Sequence, residues 1–168
     1  MSKPVVLVIM GMKGTEIADK VIEAIESGIY GFIRCNFPNG EMVGHTGNLH
    51  ATEIAVESVD LELARIKKAC DEAGCILVVT ADHDNSDQML EKNKKGAVEI
   101  RTAHSLNPVP FIIYDKEQKH EMKKGAFGFA NVAPTIAGLM GIDPFDSWEE
   151  SMLLSQTKDI DHETNGEC

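Results

Sequence analysis

The sequence has few cationic side chains for its length. Only three of its 168 residues are arginine, and the formal net charge is −11. Binding to nucleic acid or to an anionic membrane depends on clustered cations, so this composition argues against both kinds of partner. Bidentate recognition of a phosphate or carboxylate is confined to Arg34, Arg65 and Arg101.

The sequence also lacks an apolar stretch long enough to span a bilayer. The apolar run over residues 5–10 is shorter than the core of a signal peptide, and no small-residue cleavage site follows it. We therefore expect a buried strand there, in a cytoplasmic protein. No CxxC pair occurs, which predicts free thiols in a reducing compartment for all four cysteines: Cys35, Cys70, Cys75 and Cys168.

What the sequence does contain is a regular alternation of apolar runs and amphipathic stretches. Apolar, β-branched runs predict four strands, over residues 5–10, 31–37, 75–80 and 109–114. Apolar residues at helical spacing predict three helices, over residues 15–27, 50–73 and 132–140. Gly28 and Gly74 follow the first two helices, where a left-handed residue is expected.

This alternation predicts an α/β domain with a largely parallel sheet. We expect one domain over residues 1–154 and a polar tail over residues 155–168. Two segments are predicted to be irregular. Residues 38–48 are predicted to form a Gly- and Asn-rich loop. Residues 84–101 are predicted to form a Lys-rich loop with a small hairpin or a helical turn.

Acidic and imidazole side chains lie next to the predicted strand ends. The run ILVVTADHDN places Asp82 and His83 directly after a strand. His45 lies after the second strand, four residues beyond Glu41, and His104 precedes the fourth strand. Ligands of open α/β sheets bind beyond the carboxyl ends of strands, and a helical turn would bring Glu41 and His45 to one face.

These residue types indicate a divalent metal site. Two histidines and a carboxylate suit zinc or manganese, and an Asp-His pair could hold a second ion. Two such ions about 3.5–4 Å apart are common in phosphoryl transfer. Other interpretations stay open at this point: surface histidines, an Asp82 that caps a turn, and a solvated Glu41.

Three motifs in this order resemble a known family: NFPNGEMVGHTGN, TADHDNSDQM and TAHSLNPVPF. They resemble the C-terminal half of the phosphatase domain of 2,3-bisphosphoglycerate-independent phosphoglycerate mutase, a member of the alkaline phosphatase superfamily. The flanking segments KVIEAIESGIYGFIRCNF and NVAPTIAGLMGIDP, and the opening MSKPVVLVIM, resemble the same family. The resemblance implies a three-layer, alkaline-phosphatase-like α/β domain with a mostly parallel sheet, in a shortened form.

The resemblance also implies a ligand set for two metal ions. His45 and His104 match ligands of one ion, with Glu41 at a position where the family has Asp. Asp82 and His83 match ligands of the second ion. Mn²⁺ is the implied metal, with Zn²⁺ and Mg²⁺ as alternatives.

The chain departs from the family pattern at the positions that perform catalysis. Gly11 follows the first strand where the family has a metal-binding Asp, and no segment matches the nucleophilic Ser or the inserted substrate-binding domain. Asp84 replaces a family Gly, so it could be strained or could supply a carboxylate. Ser105 and Thr46 are nearby hydroxyls, for which ordinary loop hydrogen bonding is the simpler interpretation. No residue is therefore predicted to be catalytic.

Three functional hypotheses follow. The family interconverts 3-phosphoglycerate and 2-phosphoglycerate in glycolysis, and this chain is expected to be inactive or strongly impaired in that isomerisation on its own. It could instead be a weak metal-dependent phosphomonoesterase. It could also be a non-catalytic partner that associates with a full-length mutase.

Overall fold

The computed structural model describes residues 6–9, 13–83, 86–101 and 104–154, in two compact units divided between Lys116 and Glu117. Asp84, the Gly11 position and the predicted tail lie outside the described residues. No helix in the described ranges is both long and apolar enough to cross a membrane. The predicted domain boundaries stay a prediction.

The first unit contains nine of the named helices and strands. In chain order they are β1 Val6–Ile9, α1 Gly14–Ser27, β2 Phe32–Cys35, α2 Asn39–Gly44, α3 Leu49–Ala73, β3 Leu77–Thr80, β4 Leu90–Lys92, β5 Val98–Ile100 and β6 Phe111–Tyr114. The order of elements confirms the predicted α/β class. The four predicted strands and the first two predicted helices are present, with ends that shift by a few residues.

The strands form two-stranded sheets within the part of the chain described. β1 and β2 run parallel, with Val6 opposite Phe32. β3 and β6 run antiparallel, with Leu77 opposite Tyr114, and β4 and β5 form an antiparallel hairpin. The predicted parallel pairing is therefore found between β1 and β2. β6 pairs antiparallel with β3, because the chain between them forms the β4–β5 hairpin and not a crossover helix.

The core of the first unit lies between α1 and α3. Apolar side chains at helical spacing interlock there, and all are less than a tenth exposed: Ile17, Ala18, Val21 and Ile25 with Ile66, Ala69 and Cys70. Within this contact Glu62 is buried, and its carboxylate accepts hydrogen bonds from the Thr15 hydroxyl at 2.7 Å and Arg65 at 2.6 Å. A buried carboxylate needs such partners, so this pair of bonds permits Glu62 on the buried face.

The ends of α3 follow from its sequence. The Asn48 side chain accepts a hydrogen bond from the backbone N–H of Ala51 at 3.1 Å and caps the first turn. Gly74 adopts φ +69° at the other end, as predicted, and its N–H donates to the carbonyl of Cys70. These caps fix where the chain leaves α3 and enters β3, which leads to Asp82 and His83.

Two segments differ from or refine the prediction. The helix α2 occupies residues that were predicted to be a loop; its two glycines lower helix propensity, and packing against α3 compensates. A Cβ on Gly40 would lie only 3.4 Å from the side chain of Val56 on α3. The Lys-rich segment contains the β4–β5 hairpin, which is one of its two predicted alternatives.

The second unit is built around the short helix α4, Val132–Leu139, as predicted. Thr135 is fully buried, and its hydroxyl donates to the carbonyl of Asn131 at 2.6 Å and accepts the N–H of Met152 at 2.9 Å. Phe145 and Trp148 make an edge-to-face contact with ring centres 5.2 Å apart. These contacts tie the segment after α4 back onto the helix.

Candidate metal centre

The centre begins on α2, which places Glu41 one helical turn before His45. The backbone N–H of His45 donates to the carbonyl of Glu41 at 3.2 Å, so the helical turn between them is formed. Nε2 of His45 lies 3.8 Å from Oε1 of Glu41. The i,i+4 proximity expected for a helical turn is thus realised.

Two further histidines converge on the same carboxylate oxygen. Nε2 of His83 lies 3.6 Å from Oε1 of Glu41, and Nε2 of His104 lies 3.6 Å from it as well. One ligand atom from each of these three residues lies within 4.8 Å of the other two. His83 comes from the segment after β3 and His104 from the segment after β5, so three separate parts of the chain meet at Glu41.

The distances from Glu41 to two of the histidines match those between ligands of one metal ion. Ligands 2.0–2.2 Å from a tetrahedral zinc ion lie about 3.3–3.6 Å from each other. The distances of 3.6 Å from Glu41 to His83 and His104 are close to this value and longer than a direct hydrogen bond. The donor set of imidazole nitrogens and one carboxylate suits zinc, manganese or cobalt better than magnesium. The residues present therefore fit a divalent metal ion.

The histidine rings have different mutual orientations. His83 and His104 stack with ring centres 3.6 Å apart and planes 9° from parallel. His45 and His104 lie further apart, with centres 5.6 Å apart and an angle of 34° between the rings. The nitrogens of all three converge on Glu41, but the planes of the stacked pair do not converge on a common point.

Asp82 lies at the margin of this cluster. Its Oδ1 is 3.8 Å from Nε2 of His83, and its side chain is 88% exposed. Asp82 is not in the group of three whose ligand atoms lie within 4.8 Å of one another. Of the five predicted ligands, the structure gathers Glu41, His83 and His104 most tightly, with His45 next to Glu41 and Asp82 furthest into solvent.

The loops that carry the ligands are fixed by residues that were not identified from the sequence. Arg101 donates from Nη2 to the carbonyl of His104 at 3.3 Å and from Nη1 to Glu91 at 3.4 Å. The Ser86 hydroxyl donates to the carbonyl of Gly40 at 3.3 Å and so links the chain after His83 to α2. Arg101 could have been identified from the sequence as a basic residue three positions before the candidate ligand His104.

Glycine at position 47 allows the loop after His45 to approach the hairpin closely. Gly47 has φ +69°, and a Cβ there would lie 2.5 Å from Cγ1 of Ile100. Ile100 ends β5 and precedes Arg101. This contact therefore couples the segment that carries His45 to the segment that carries His104.

The nearby hydroxyls are engaged in loop hydrogen bonds. The Thr46 hydroxyl donates to the carbonyl of Val43 at 2.7 Å and accepts the N–H of Asn48. The Ser105 hydroxyl donates to Asp87 at 3.2 Å. Neither hydroxyl is directed at Glu41 by these bonds, which agrees with the simpler interpretation made from the sequence.

One ring nitrogen at the centre is buried and has no hydrogen-bond partner among the residues that the structure describes. Nδ1 of His83 is inaccessible to solvent and makes no hydrogen bond with any described residue. Metal-ligating histidines usually donate from their second nitrogen to a carbonyl, carboxylate or water.

Comparisons with known proteins point to a common family. The profile of the family described as the metalloenzyme superfamily matches residues 3–144. A 2,3-bisphosphoglycerate-independent phosphoglycerate mutase from Trypanosoma brucei brucei is 41% identical over 155 residues, covering 84% of this chain and 28% of that protein. One of the same name from Vibrio vulnificus is 40% identical over 132 residues, covering 79% of this chain and 25% of the relative.

A solved structure agrees with these sequence relatives. Leishmania mexicana phosphoglycerate mutase, determined at low cobalt concentration, superposes with a TM-score of 0.78 at 39% identity. The superposition covers 85% of this chain and 28% of that one. The chain thus spans between a quarter and a third of the length of the curated relatives and of the structure it matches.

Proposed function

The chain belongs to the metalloenzyme superfamily, and on this premise we propose that it is a metal-binding domain of the phosphoglycerate mutase type. Its centre would hold a divalent ion on Glu41 and the histidines around it. The observation that carries this proposal is the convergence of His45, His83 and His104 on one carboxylate oxygen, at 3.6–3.8 Å.

The identity of the ion is a finer proposal. Manganese is proposed from the resemblance to the mutases, with zinc and magnesium as alternatives. The imidazole-rich donor set supports manganese or zinc over magnesium, because magnesium prefers oxygen ligands. When bound, such an ion would neutralise phosphate charge and lower the pKa of a coordinated hydroxyl group.

The substrate is proposed from the names of the relatives. Phosphoglycerate, and with it a place in glycolysis and in the cytoplasm, would suit a domain that binds phosphate through a metal ion. The residues of this chain that would take part are the ligands, which would hold the ion between Glu41 and the histidines. His104 and Glu41 are both partly exposed, so a phosphate could reach an ion held between them.

We further propose that this chain by itself does not isomerise phosphoglycerate. The hydroxyls of Thr46 and Ser105 are engaged in loop hydrogen bonds, and neither is predicted to be the nucleophile. Loss of a covalent nucleophile typically costs several orders of magnitude in rate. A coupled assay with Mn²⁺ should give no conversion of 3-phosphoglycerate above the buffer blank; clear conversion would contradict this proposal.

Metal binding is tested by quantifying metal on the purified chain. We expect bound metal in the wild type and its loss in Glu41→Gln, which removes the charge at the centre of the cluster. Glu53→Gln is the matched control, because Glu53 also lies beside a histidine, at 3.6 Å from His50 on the surface of α3. Equal metal contents in both variants would refute the role of Glu41.

Association with a full-length mutase is a second candidate role. Large apolar side chains are exposed on the first unit, among them Leu61, Val98 and Leu106. Such surfaces favour association when they form a contiguous patch. Co-elution with a full-length mutase on size exclusion would support this role, and separate elution at micromolar concentration would count against it.

A further inference from the structure

Two cysteines lie in the turn that connects α3 to β3. Cys70 is in the last turn of α3, and Cys75 follows Gly74, the glycine that ends the helix. Both are free thiols in the structure. We propose that this pair is a peroxide-sensitive site, at which Cys70 and Cys75 form a reversible disulfide bond within the chain. The inference does not depend on the proposed metal binding, because neither thiol belongs to the Glu41 cluster.

The backbone of the turn brings the two cysteines together. Gly74 adopts φ +69°, and its N–H donates to the carbonyl of Cys70. The N–H of Cys75 donates to the same carbonyl at 2.9 Å. This second bond defines a Schellman ending, in which the side chains at the positions of Cys70 and Cys75 commonly touch.

A disulfide bond needs this reversal of the chain. The Cα atoms of bonded cysteines lie about 4.4–6.8 Å apart. Residues five positions apart in a continuous helix are separated by about 7.5 Å along its axis, which is too far. The left-handed conformation of Gly74 turns the chain back over the end of α3, so Cys75 lies near Cys70 and not one and a half turns beyond it.

The two thiols differ in their access to solvent. Cys75 is exposed, whereas Cys70 is 3% exposed and belongs to the core between α1 and α3. Burial is the main cause that raises the pKa of the Cys70 thiol to about 11, and the charge of Cys75 adds to it, as expected for neighbouring sulfur atoms. Because the thiolate is the reactive form, Cys75 should react with an oxidant first and Cys70 second.

Hydrogen peroxide is the oxidant that this order fits. The Cys75 thiolate attacks one peroxide oxygen, the O–O bond breaks, and hydroxide leaves with the proton that the thiol lost, as water. The Cys75 sulfenic acid is then attacked by the Cys70 sulfur; the S–O bond breaks, and the departing hydroxide takes the Cys70 proton as a second water. The two thiols lose two electrons together, and the peroxide gains them.

Cys35 is the competing partner and the matched control. It lies on β2, is half-buried against the same core, and has a thiol pKa that burial also raises. No hydrogen-bonded turn joins Cys35 to Cys70 in the part of the chain described, so Cys35→Ala should not affect the proposed bond. Cys168 lies outside the described residues and is replaced by serine in every protein tested.

The experiment is peroxide treatment followed by peptide mass mapping. The parent protein should lose two hydrogen atoms and yield a peptide that links Cys70 to Cys75, and excess dithiothreitol should restore both thiols. Cys75→Ser should form no disulfide bond, with Cys70 left reduced. Cys70→Ala should accumulate the Cys75 sulfenic acid, which dimedone traps. In the reduced, folded protein, iodoacetamide should alkylate Cys75 at least about tenfold faster than Cys70.

Several results would overturn the proposal. One is oxidation of Cys75 to the sulfinic or sulfonic acid without a bond to Cys70. Others are a bond between two chains, a bond between Cys35 and Cys70, or full resistance of Cys75 to peroxide. Circular dichroism checks that each variant is folded. Cys75→Ser changes an exposed side chain, so it tests the proposal even where Cys70→Ala does not fold.

Discussion

The contact between Gly47 and Ile100 gives a prediction that can be worked out quantitatively. In Gly47→Ala the new methyl group would lie 2.5, 2.7 and 3.0 Å from Cγ1, Cδ1 and Cγ2 of Ile100. A non-glycine residue at φ +69° costs about 1–2 kcal/mol, and overpacking adds about 1–3 kcal/mol. Because Ile100 is β-branched, rotation about χ1 exchanges one close contact for another. We therefore expect a loss of about 2–5 kcal/mol in the free energy of unfolding.

The steric part can be isolated with a matched control. Gly74 has the same φ of +69°, and no described atom lies within 4 Å of a Cβ built there. Gly74→Ala should therefore lose only the backbone part, about 1–2 kcal/mol. The steric part should disappear in the double variant Gly47→Ala with Ile100→Ala, which gives a coupling energy of about 1–3 kcal/mol.

Urea unfolding followed by circular dichroism measures all five proteins: the wild type, the three single variants Gly47→Ala, Gly74→Ala and Ile100→Ala, and the double variant. The reasoning is refuted if Gly47→Ala and Gly74→Ala lose equal stability, or if the double variant shows no coupling. Gly47→Ala should also weaken metal binding, because a displaced Ile100 moves Arg101, whose guanidinium donates to the carbonyl of His104.

Three further outcomes follow from individual contacts. Burial raises the pKa of the Cys70 thiol to about 11. Because only the unfolded chain releases this proton between pH 9 and 11, the free energy of unfolding should fall by about 2–3 kcal/mol over that range. Cys70→Ala should lack this loss, and an identical pH dependence in the variant would contradict the prediction. Arg101→Ala should weaken zinc binding about 10–100-fold, because it removes the hydrogen bond to the carbonyl of His104. Calorimetry measures this affinity, and an unchanged value would exclude a positioning role for Arg101. The Tyr114 hydroxyl lowers the pKa of Asp71, so Tyr114→Phe should raise that pKa in an NMR titration; an unmoved pKa would refute the assignment.

The sequence predicted the elements whose determinants are local. Amphipathic spacing and Gly28 and Gly74 located α1 and α3, because a left-handed glycine directly ends a helix. The apolar runs located β1, β2, β3 and β6. The α/β class and the family resemblance are confirmed for the same reason, since both depend on long, ordered local patterns.

Properties that depend on distant contacts were not predictable. The six-residue α2 contains two glycines and forms against α3, which no local signal indicates. The antiparallel pairing of β3 with β6 depends on how the hairpin folds back between them. The position of His83 likewise depends on Ser86 and Gly40, which are 46 residues apart in the chain.

The predicted ligand set stays a prediction, and the geometry gives it a specific form. Spacing correctly indicated that Glu41 and His45 could share a helical face. The pair formed by Asp82 and His83 also stays a prediction, and Oδ1 of Asp82 lies 3.8 Å from Nε2 of His83. In the structure the imidazole lies in the Glu41 cluster, and the carboxylate lies in solvent.

Anomalous diffraction from crystals grown with zinc tests the central claim most directly. We predict an anomalous peak about 2.0–2.2 Å from Oε1 of Glu41, between this oxygen and the Nε2 atoms of His45, His83 and His104. Absence of a peak at this position would contradict the proposed centre.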